Sequence, residues 1–389
     1  MEMNARKNDL KALPTILVID DEPLFLGLLE QSFSLAGIRC MATTEAAKAI
    51  EIAKEYSPDL IVSDYQMPNI DGFAFRNMLL SENSLKDIPF AFLTNANDDD
   101  TVIQGYELKI TDYISKSNSP KIIVAKVAHI LNELLKKKSQ LVDDFKKATN
   151  NDSLETVPNE LPPVKGFQLN HWHKPFRDIP GGDFIDFLRI DDEKVIILFG
   201  DVMGKKLEAW LYTAILIGYI RSSIRVILKN SLEQKISTSA VLAQINDLIT
   251  TDERFTDVLV NASMLVLDEK TGIIEYSGGG DLPLLHYLAE KNQIVQISSD
   301  GMPLGIPVKN GFNEIAFILP PGDSITLITD GILDSKNIDD AFYGYDNLDN
   351  VIIKSAASNN IVDGIRADLF QFANGRFADD ITVLSIKRI

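Results

Sequence analysis

The chain has 389 residues, of which 45% are hydrophobic and 24% are charged, so it is long and apolar enough for two or three packed domains. Its 56 Asp and Glu residues outnumber its 38 Lys and Arg residues, and the formal net charge is −18. A surface this acidic repels nucleic acid and anionic membranes, and a lone cysteine, Cys40, excludes an internal disulfide framework and a cysteine-rich zinc site.

The chain shows no sign of a secretory signal or a membrane span. Residues 1–14 carry charges without an apolar core, and the longest apolar stretch, 211–220, is about half of the ~20 residues that cross a bilayer. We therefore expect a soluble, cytoplasmic protein.

Strand and helix patterns alternate over the first 135 residues. Short β-branched or apolar runs predict strands at 15–19, 38–42, 59–63, 89–93 and 112–114. Helical patterns follow these runs at 23–35, 45–56, 73–81, near 99–108, and onward from Ser119-Pro120. Five such units predict an α/β, flavodoxin-like, doubly wound parallel sheet of strand order 2-1-3-4-5.

Polar side chains follow the carboxyl ends of these strands, where doubly wound sheets bind ligands. They are Asp20 and Asp21 after the first strand, Asp64 after the third, Thr94 after the fourth and Lys116 after the fifth. Because the first and third strands are neighbours in this order, three carboxylates crowd one pocket and need a cation such as Mg²⁺ to stay ionised together. The alternative is that the acids form only a turn and the lysine is a surface charge.

This pattern resembles the receiver domain of bacterial two-component response regulators. The matching segments are ILVIDDEP, DLIVSDYQMPNIDGF, FLT and DYISKS, within about residues 15–135. The resemblance implies that Asp64 is the phospho-acceptor and that Lys116 pairs with the phosphoryl oxygens. It also implies that Asp21 binds Mg²⁺ directly, that Asp20 helps through water, and that the Gln66 carbonyl is a third ligand.

The same resemblance makes Thr94 and Tyr113 the switch pair that senses the phosphoryl group, and it implies a sensor histidine kinase or phosphotransfer protein as partner. The reaction is an in-line transfer in which positioning and charge neutralisation do most of the catalysis. Two positions depart from the family pattern, since Ser117 replaces a proline and Asn95 replaces a small residue. Neither departure removes a required group, and both could retune the lifetime of the phosphorylated state.

The helix that begins at 120 carries a heptad-like apolar seam. Its members are Ile123, Val127, Ile130, Leu134, Leu141 and Phe145, with lysine at 137–138. The seam predicts a parallel coiled-coil homodimer through a connector helix. The alternative is that its first half packs on the receiver sheet and the rest frays, because fewer than three heptads are short for a coiled coil. Residues 148–163 are rich in Asn, Asp, Glu and Pro, which indicates a flexible linker.

Beyond the linker, predicted strands come in runs and predicted helices in groups. Strands are predicted at 183–190, 194–200, 258–267, 273–277, 283–287, 294–297, 314–318, 324–329 and 381–386. Helices are predicted at 208–228, 237–250, 346–357 and 361–374. This grouping predicts an α+β sandwich of antiparallel sheets flanked by helices. The predicted organisation is a receiver domain at 14–135, a connector helix and linker at 136–165, and a second domain at 166–389.

Aspartates again lie beside predicted strands in the second domain, now next to glycines. The segments are IPGGDFIDF, LFGDVMGK, LITDGILD and FADDITVL. A hard divalent cation is a physical reason for several aspartates to converge, because they otherwise repel one another. Glycine lets the backbone, including a carbonyl ligand, approach the cation. The alternative is that these aspartates only cap turns.

These segments, with GMPLGIP and LPPGDSITLITDG, resemble the metal-dependent protein phosphatase (PPM) family over about residues 167–389. They are closest to the bacterial branch that dephosphorylates anti-sigma-factor antagonists in sporulation and stress signalling. The resemblance implies that Asp201 bridges two Mn²⁺ or Mg²⁺ ions and that the Val202 carbonyl completes one coordination sphere. It places Asp183 on one ion and both Asp330 and Asp379 on the other.

The resemblance also implies that Asp186 and Asp380 orient water at the metals. The implied reaction is hydrolysis of a phosphoserine or phosphothreonine, in which two metals activate water and neutralise charge. Two positions depart from this family. Lys206 ends a Gly-Lys-Lys segment where Gly-His-Gly or Gly-Lys-Gly is usual, and Asp281 stands where Ala-Gly-His-Pro has its histidine.

These patterns predict a response regulator in which phosphorylation of Asp64 alters receiver packing or dimerisation, and the connector helix passes this change to the phosphatase. The alternative, motivated by Lys206 and Asp281, is a catalytically weak phosphatase fold that binds a partner protein under receiver control. A DNA-binding output is disfavoured, since no basic recognition helix follows the receiver.

His171 and His173 flank Trp172. On a strand both histidines face the same side and could bind a metal, but the simpler interpretation is that they are ordinary strand residues.

Overall fold

The computed structural model describes residues 14–389 apart from 69, 83–84, 95–107, 149–154, 177–178, 204–205, 231–235, 281–282, 300, 309–310, 357–359, 376 and 378. It describes the backbone alone at 55, 138, 142–143, 145–148, 206–207 and 230. The described chain divides into two compact units, 14–140 and 141–389. The helix predicted near 99–108 falls almost wholly outside the described residues.

The first unit is a doubly wound α/β fold. Its elements are β1 (Thr15–Ile19), α1 (Pro23–Leu35), β2 (Arg39–Thr43), α2 (Ala46–Tyr56), β3 (Leu60–Asp64), α3 (Gly72–Ser81), β4 (Phe90–Thr94), β5 (Asp112–Ser115) and α4 (Pro120–Ala148). The five strands are parallel and lie in the order β2-β1-β3-β4-β5, which confirms the predicted topology. The central strands are almost entirely apolar because helices cover both faces of a parallel sheet.

Each face of this sheet has its own core. Alternate residues of β1 point to opposite faces, so Ile16 packs with α1 and α4 while Leu17 packs with α2 and α3. Cys40 lies on β2 opposite Ile16, and burial raises the pKa of its thiol to about 12, with the nearby Glu30 charge adding to the shift. This thiol is therefore protonated at neutral pH.

Helix α4 continues well beyond the sheet that it covers. Ile123 and Val127 are fully buried against the sheet, as one interpretation of the heptad seam expects, whereas Leu141 is 49% exposed. The helix nevertheless continues to Ala148 and runs through the predicted boundary at 135/136. The coiled-coil dimer and the domain boundaries stay predictions.

The second unit is a sandwich of two five-stranded antiparallel sheets with helices outside them. Its elements are β6 (Phe167–Lys174), β7 (Asp183–Arg189), β8 (Lys194–Met203), α5 (Lys206–Asn230), α6 (Thr238–Thr251), β9 (Leu259–Asp268), β10 (Ile273–Gly279), β11 (Leu284–Leu288), β12 (Gln293–Ile297), β13 (Ile315–Ile318), β14 (Ser324–Ile328), α7 (Asp330–Leu333), α8 (Gly344–Ala356), α9 (Ile361–Ala373) and β15 (Ile381–Arg388). The sheet orders are β13-β10-β9-β8-β7 and β12-β11-β14-β15-β6. This architecture confirms the predicted α+β sandwich.

Three apolar cores hold the sandwich together. One lies between the two sheets and contains Ile185, Phe199 and Leu384. A second lies between α5, α6 and the first sheet, and a third between α8, α9 and the second sheet. Because successive side chains of a strand point to opposite faces, Phe184 packs toward the helices and Ile185 lies in the inter-sheet core.

Helix α5 contains a stretch, Glu208–Lys229, that is long and apolar enough to cross a membrane by length and composition alone. It is the one such helix in the described part of the chain. Core helices of water-soluble proteins pass the same test, and α5 buries Leu216, Ile220 and Ile224 in the core against the first sheet.

Two helical glycines of the first unit should respond oppositely to alanine. A Cβ on Gly72 would lie 2.5 Å from the Asp64 carbonyl oxygen and 2.6 Å from a ring carbon of Phe92, so Gly72→Ala should destabilise the unit by about 1–3 kcal/mol. A Cβ on Gly27, within α1, meets nothing within 4 Å, so Gly27→Ala should stabilise α1 by up to about 1 kcal/mol. Hydrogen exchange of β3 and α1 amides in the full chain measures both changes, and weaker protection in Gly27→Ala would contradict this packing.

Candidate functional site

Three carboxylates meet at one edge of the first sheet. Asp20 and Asp21 follow β1, Asp64 ends β3, and these two strands are parallel neighbours. Each residue offers one carboxylate oxygen, and these oxygens all lie within 4.8 Å of one another. We call these three residues and Lys116 the strand-end pocket. Asp20 and Asp64 are buried and Asp21 is exposed, so the pocket opens to solvent at Asp21.

Lys116 bridges the two buried acids of this pocket. Its Nζ lies 2.7 Å from Asp20 Oδ2 and 2.5 Å from Asp64 Oδ2. Burial alone would lower the pKa of Lys116, but its hydrogen bonds to both carboxylates and their charges raise it overall. Burial raises the pKa of Asp64, against the opposing effect of Lys116. The pocket thus holds one ammonium and three carboxylates, so it keeps an excess of negative charge. Its carboxylate oxygens form a donor set that fits Mg²⁺.

The other predicted residues of this pocket lie around it. Gln66 donates its backbone N–H to Asp64 Oδ1 at 3.1 Å, which fixes the carboxylate. Thr94 is buried at the end of β4, and its carbonyl accepts the Lys116 backbone N–H at 3.1 Å. Tyr113 is half-buried on β5, with its ring centre 5.6 Å from that of Phe92. The roles of Gln66 as ligand and of Thr94 and Tyr113 as a switch stay predictions, and Asn95 lies outside the described residues.

A second group of acids lies where the two sheets of the second unit meet. Asp183 begins β7 and pairs directly with Asp201 on β8. Asp330 begins α7 after β14, and both Asp379 and Asp380 precede β15. We call these five residues the acidic cluster. Both sheets contribute to it, because β7 and β8 belong to one sheet and β14 and β15 to the other.

The acids of the cluster oppose one another's ionisation. Burial raises the pKa of Asp201 to about 7, and the charges of Asp330, Asp379 and Asp380 contribute. Burial likewise raises the pKa of Asp183 well above its usual value, with contributions from Asp380 and Asp201. A divalent cation would reverse these shifts by favouring the charged forms.

Glycine makes room for a carbonyl beside these carboxylates. A Cβ on Gly182 would lie 2.3 Å from the Val202 carbonyl oxygen and 2.4 Å from Asp201 Oδ1, so a larger residue would fill this space. The carboxylate and carbonyl oxygens of the cluster are the donor type that a hard divalent cation prefers. The carboxylates of the cluster are more widely spaced than those of the strand-end pocket. Among the described residues, that pocket is the one group of three or more ligand side chains whose donor atoms all lie within 4.8 Å of one another.

Two threonines that the sequence analysis did not select hold Asp183. Thr329 Oγ1 donates to Asp183 Oδ2 at 3.0 Å, and Thr382 Oγ1 donates to the same oxygen. All three residues are buried. The signal was present in the sequence, since each threonine lies within three residues of a predicted ligand, in LITDG and FADDITVL.

Asp186 is not brought to the cluster. It lies three residues after Asp183, so it points to the opposite face of β7. There its carboxylate accepts two hydrogen bonds from Arg221 of α5, at 2.6 Å and 2.5 Å. The predicted role of Asp186 in orienting water therefore has no support in its position.

Asp380 lies within the cluster and is fixed by the backbone. Its Oδ1 accepts the Phe176 N–H at 2.7 Å, and its own N–H is donated to Asp379 Oδ1 at 2.8 Å.

Neither of the two residues that depart from the phosphatase pattern has a described side chain. Asp281 lies outside the described residues, and only the backbone of Lys206 is described.

Two family models match the chain. Residues 191–389, just over half of the chain, match stage II sporulation protein E (SpoIIE), and residues 16–128 match the response regulator receiver domain.

Curated relatives match parts of the chain. The phosphate regulon transcriptional regulatory protein PhoB of Pseudomonas aeruginosa is 32% identical over 117 residues, which are 30% of this chain and 51% of that protein. Protein IcfG of Synechocystis is 25% identical over 256 residues, which are 60% of this chain and 39% of that protein. The chain thus spans about half the length of the first of these relatives and a smaller share of the second.

Solved structures also resemble parts of the chain. The phosphatase domain of SpoIIE from Bacillus subtilis, with a fragment of its regulatory domain, is 16% identical, and the match covers 58% of this chain and 64% of that one at a TM-score of 0.48. The chemotaxis response regulator CheY4 of Vibrio cholerae is 20% identical, and the match covers 31% of this chain and 99% of that one at a TM-score of 0.29.

The hydroxyl of Thr329 should matter for cation binding by the acidic cluster. Thr329→Val removes a hydrogen bond to Asp183, and loss of such a supporting partner should weaken Mn²⁺ binding by about 10- to 100-fold. Calorimetric titration of the full chain measures this affinity, with Asp21→Asn in every sample to remove binding at the strand-end pocket. Thr326→Val is the matched control, because this buried β14 hydroxyl has no hydrogen-bond partner among the described residues. Equal affinities in the two variants would contradict the prediction.

Proposed function

Because the chain belongs to the stage II sporulation protein E family and carries a response regulator receiver domain, we propose that it is a response regulator in which phosphorylation of Asp64 controls a metal-dependent phosphatase. The PPM-type phosphatase domain hydrolyses phosphoserine or phosphothreonine in a partner protein. The observation that carries this proposal is the acidic cluster, to which both sheets contribute aspartates, and in which burial and the neighbouring carboxylates raise the pKa of Asp183 and Asp201.

The residues of the cluster have distinct roles in this proposal. Asp183, Asp201, Asp330 and Asp379, with the Val202 carbonyl, would hold two Mn²⁺ or Mg²⁺ ions. Such ions supply a water of lowered pKa and neutralise the charge of the transferring phosphoryl group. The hydroxyls of Thr329 and Thr382 hold Asp183 in place by hydrogen bonds. The Phe176 N–H likewise holds Asp380 by a hydrogen bond.

The strand-end pocket receives the signal. A carboxylate oxygen of Asp64 attacks the phosphorus of a phosphohistidine on a sensor histidine kinase or a phosphotransfer protein. The phosphorus–nitrogen bond breaks as the new phosphorus–oxygen bond forms, and the donor's imidazole is the leaving group. Asp20 and Asp21 would hold Mg²⁺, and the Lys116 ammonium, 2.5 Å from Asp64, neutralises charge on the phosphoryl oxygens. In this proposal α4, which runs without a break from the sheet to Ala148, transmits the change and supports a homodimer.

The substrate class follows from the resemblance of residues 167–389 to the sporulation and stress-response branch. We propose a phosphorylated anti-sigma-factor antagonist or a similar signalling protein. Phosphatase assays against a panel of candidate phosphoproteins test this class.

Asp330→Asn should reduce Mn²⁺-dependent hydrolysis by at least about 100-fold, because the variant removes a charged cation ligand from the reaction centre. The assay uses a chromogenic phosphate and a phosphoprotein, with and without EDTA. Asp363→Asn is the matched control, since it changes an exposed aspartate in the first turn of another helix, α9. Wild-type activity no higher than that of Asp330→Asn would contradict the enzyme and favour the partner-binding alternative.

Beryllofluoride should change the turnover of the full chain by about 5- to 150-fold, the usual range of coupling between two sites. It mimics the phosphoryl group only where a carboxylate can bind it, so Asp64→Asn should show no response. Turnover and oligomeric state are measured for both proteins under both conditions. An identical response of the two proteins, or none in the wild type, would contradict control through Asp64.

A further inference from the structure

A hydrogen-bonded chain leads from β6 to the acidic cluster. His173 on β6 lies directly opposite Thr382 on β15, and its Nδ1 is 2.8 Å from Thr382 Oγ1. The same hydroxyl is hydrogen-bonded to Asp183 Oδ2. The three groups thus form one continuous path from an imidazole to a predicted cation ligand.

The hydroxyl of Thr382 has one proton, and this decides the direction of both bonds. When a bound cation holds Asp183 ionised, the carboxylate can only accept, so the proton of Thr382 is donated to it. The oxygen of Thr382 must then accept from His173. The imidazole therefore carries a proton on Nδ1.

The second hydroxyl on Asp183 is directed by the same logic. Thr329 Oγ1 accepts the backbone N–H of Thr382 at 3.0 Å, so its own proton is free for Asp183 Oδ2. Both hydroxyls thus have an acceptor site filled and a proton directed at one carboxylate oxygen. For Thr329 the directing group is a backbone amide, whereas for Thr382 it is a side chain, His173.

The surroundings of His173 favour a single neutral form. Burial lowers its pKa to about 4, with His171 contributing, against the opposing effect of a hydrogen bond to the Ile381 backbone. A neutral imidazole has one N–H, and the contact with Thr382 fixes it on Nδ1.

We propose that His173 is a positioning residue of the phosphatase centre. Its Nδ1–H holds the proton of Thr382 on Asp183, which orients the carboxylate without contact between the imidazole and the cation. This inference rests on the proposed function, since it takes Asp183 to be a cation ligand. It also replaces both earlier interpretations of His173, as a direct ligand and as an ordinary strand residue.

Mn²⁺ affinity in the full chain tests this role, again with Asp21→Asn in every sample. His173→Phe keeps a ring but loses the donor, and we expect about 10-fold weaker binding. His173→Asn places an amide N–H where Nδ1 was, and it should restore most of the affinity. His171→Phe is the matched control, because this residue lies on the same face of the same strand, and its affinity should be unchanged.

A double variant separates positioning from a general structural effect. If His173 acts through Thr382, adding His173→Phe to Thr382→Val causes no further loss of affinity. Additive losses, or unchanged affinity in His173→Phe, would overturn the inference.

The proton on Nδ1 can be observed directly. The chain has four histidines, so ¹H–¹⁵N spectra of the Mg²⁺-loaded protein should resolve His173, assigned by its loss in His173→Asn. We expect the Nδ1–H tautomer, and an Nε2–H tautomer would overturn the inference. Neither readout requires catalysis, so the predicted affinities and tautomer in a protein without phosphatase activity would support this inference while contradicting the proposed function.

Discussion

Aspartates that are buried side by side repel one another, and both units of this protein are arranged around that repulsion. In the second unit, burial and neighbouring charges raise the pKa of Asp201 to about 7, so the cluster without a cation is poorly suited to full ionisation. In the first unit, Asp20 and Asp64 share the ammonium of Lys116. The repulsion between acids is thus offset by an ammonium in the first unit. In the second unit, threonine hydroxyls donate hydrogen bonds to one of the acids.

The fold explains why these acids are close together although they are far apart in sequence. In the first unit, parallel neighbours bring their carboxyl ends to one edge, so residues 44 positions apart share a pocket. In the second unit, antiparallel pairing places Asp183 opposite Asp201, and the packing of one sheet on the other brings in Thr329 and Thr382. Neither site depends on a long loop to collect its charged groups.

The sequence predicts both folds and the two groups of aspartates, because strand ends can be read from local hydrophobic patterns. The role assigned to Asp186 follows from the family resemblance, although a spacing of three residues on one strand already places it on the face opposite Asp183. The sequence does not predict α7, which has only four residues and too short a pattern to recognise. The contacts of Asp183 with Thr382 and of Asp186 with Arg221 join separate elements, so packing determines them and no local pattern reports them.

The protonated state of Cys40 has a practical consequence for work on this protein. Thiol reagents attack the thiolate, and a thiol with a pKa of about 12 offers almost none of it at neutral pH. A cysteine introduced at an exposed position, such as Leu141 on α4, would therefore react with a spin label or fluorophore far faster than the native one. Distance measurements along the connector can therefore keep the native cysteine, because its background labelling should be low.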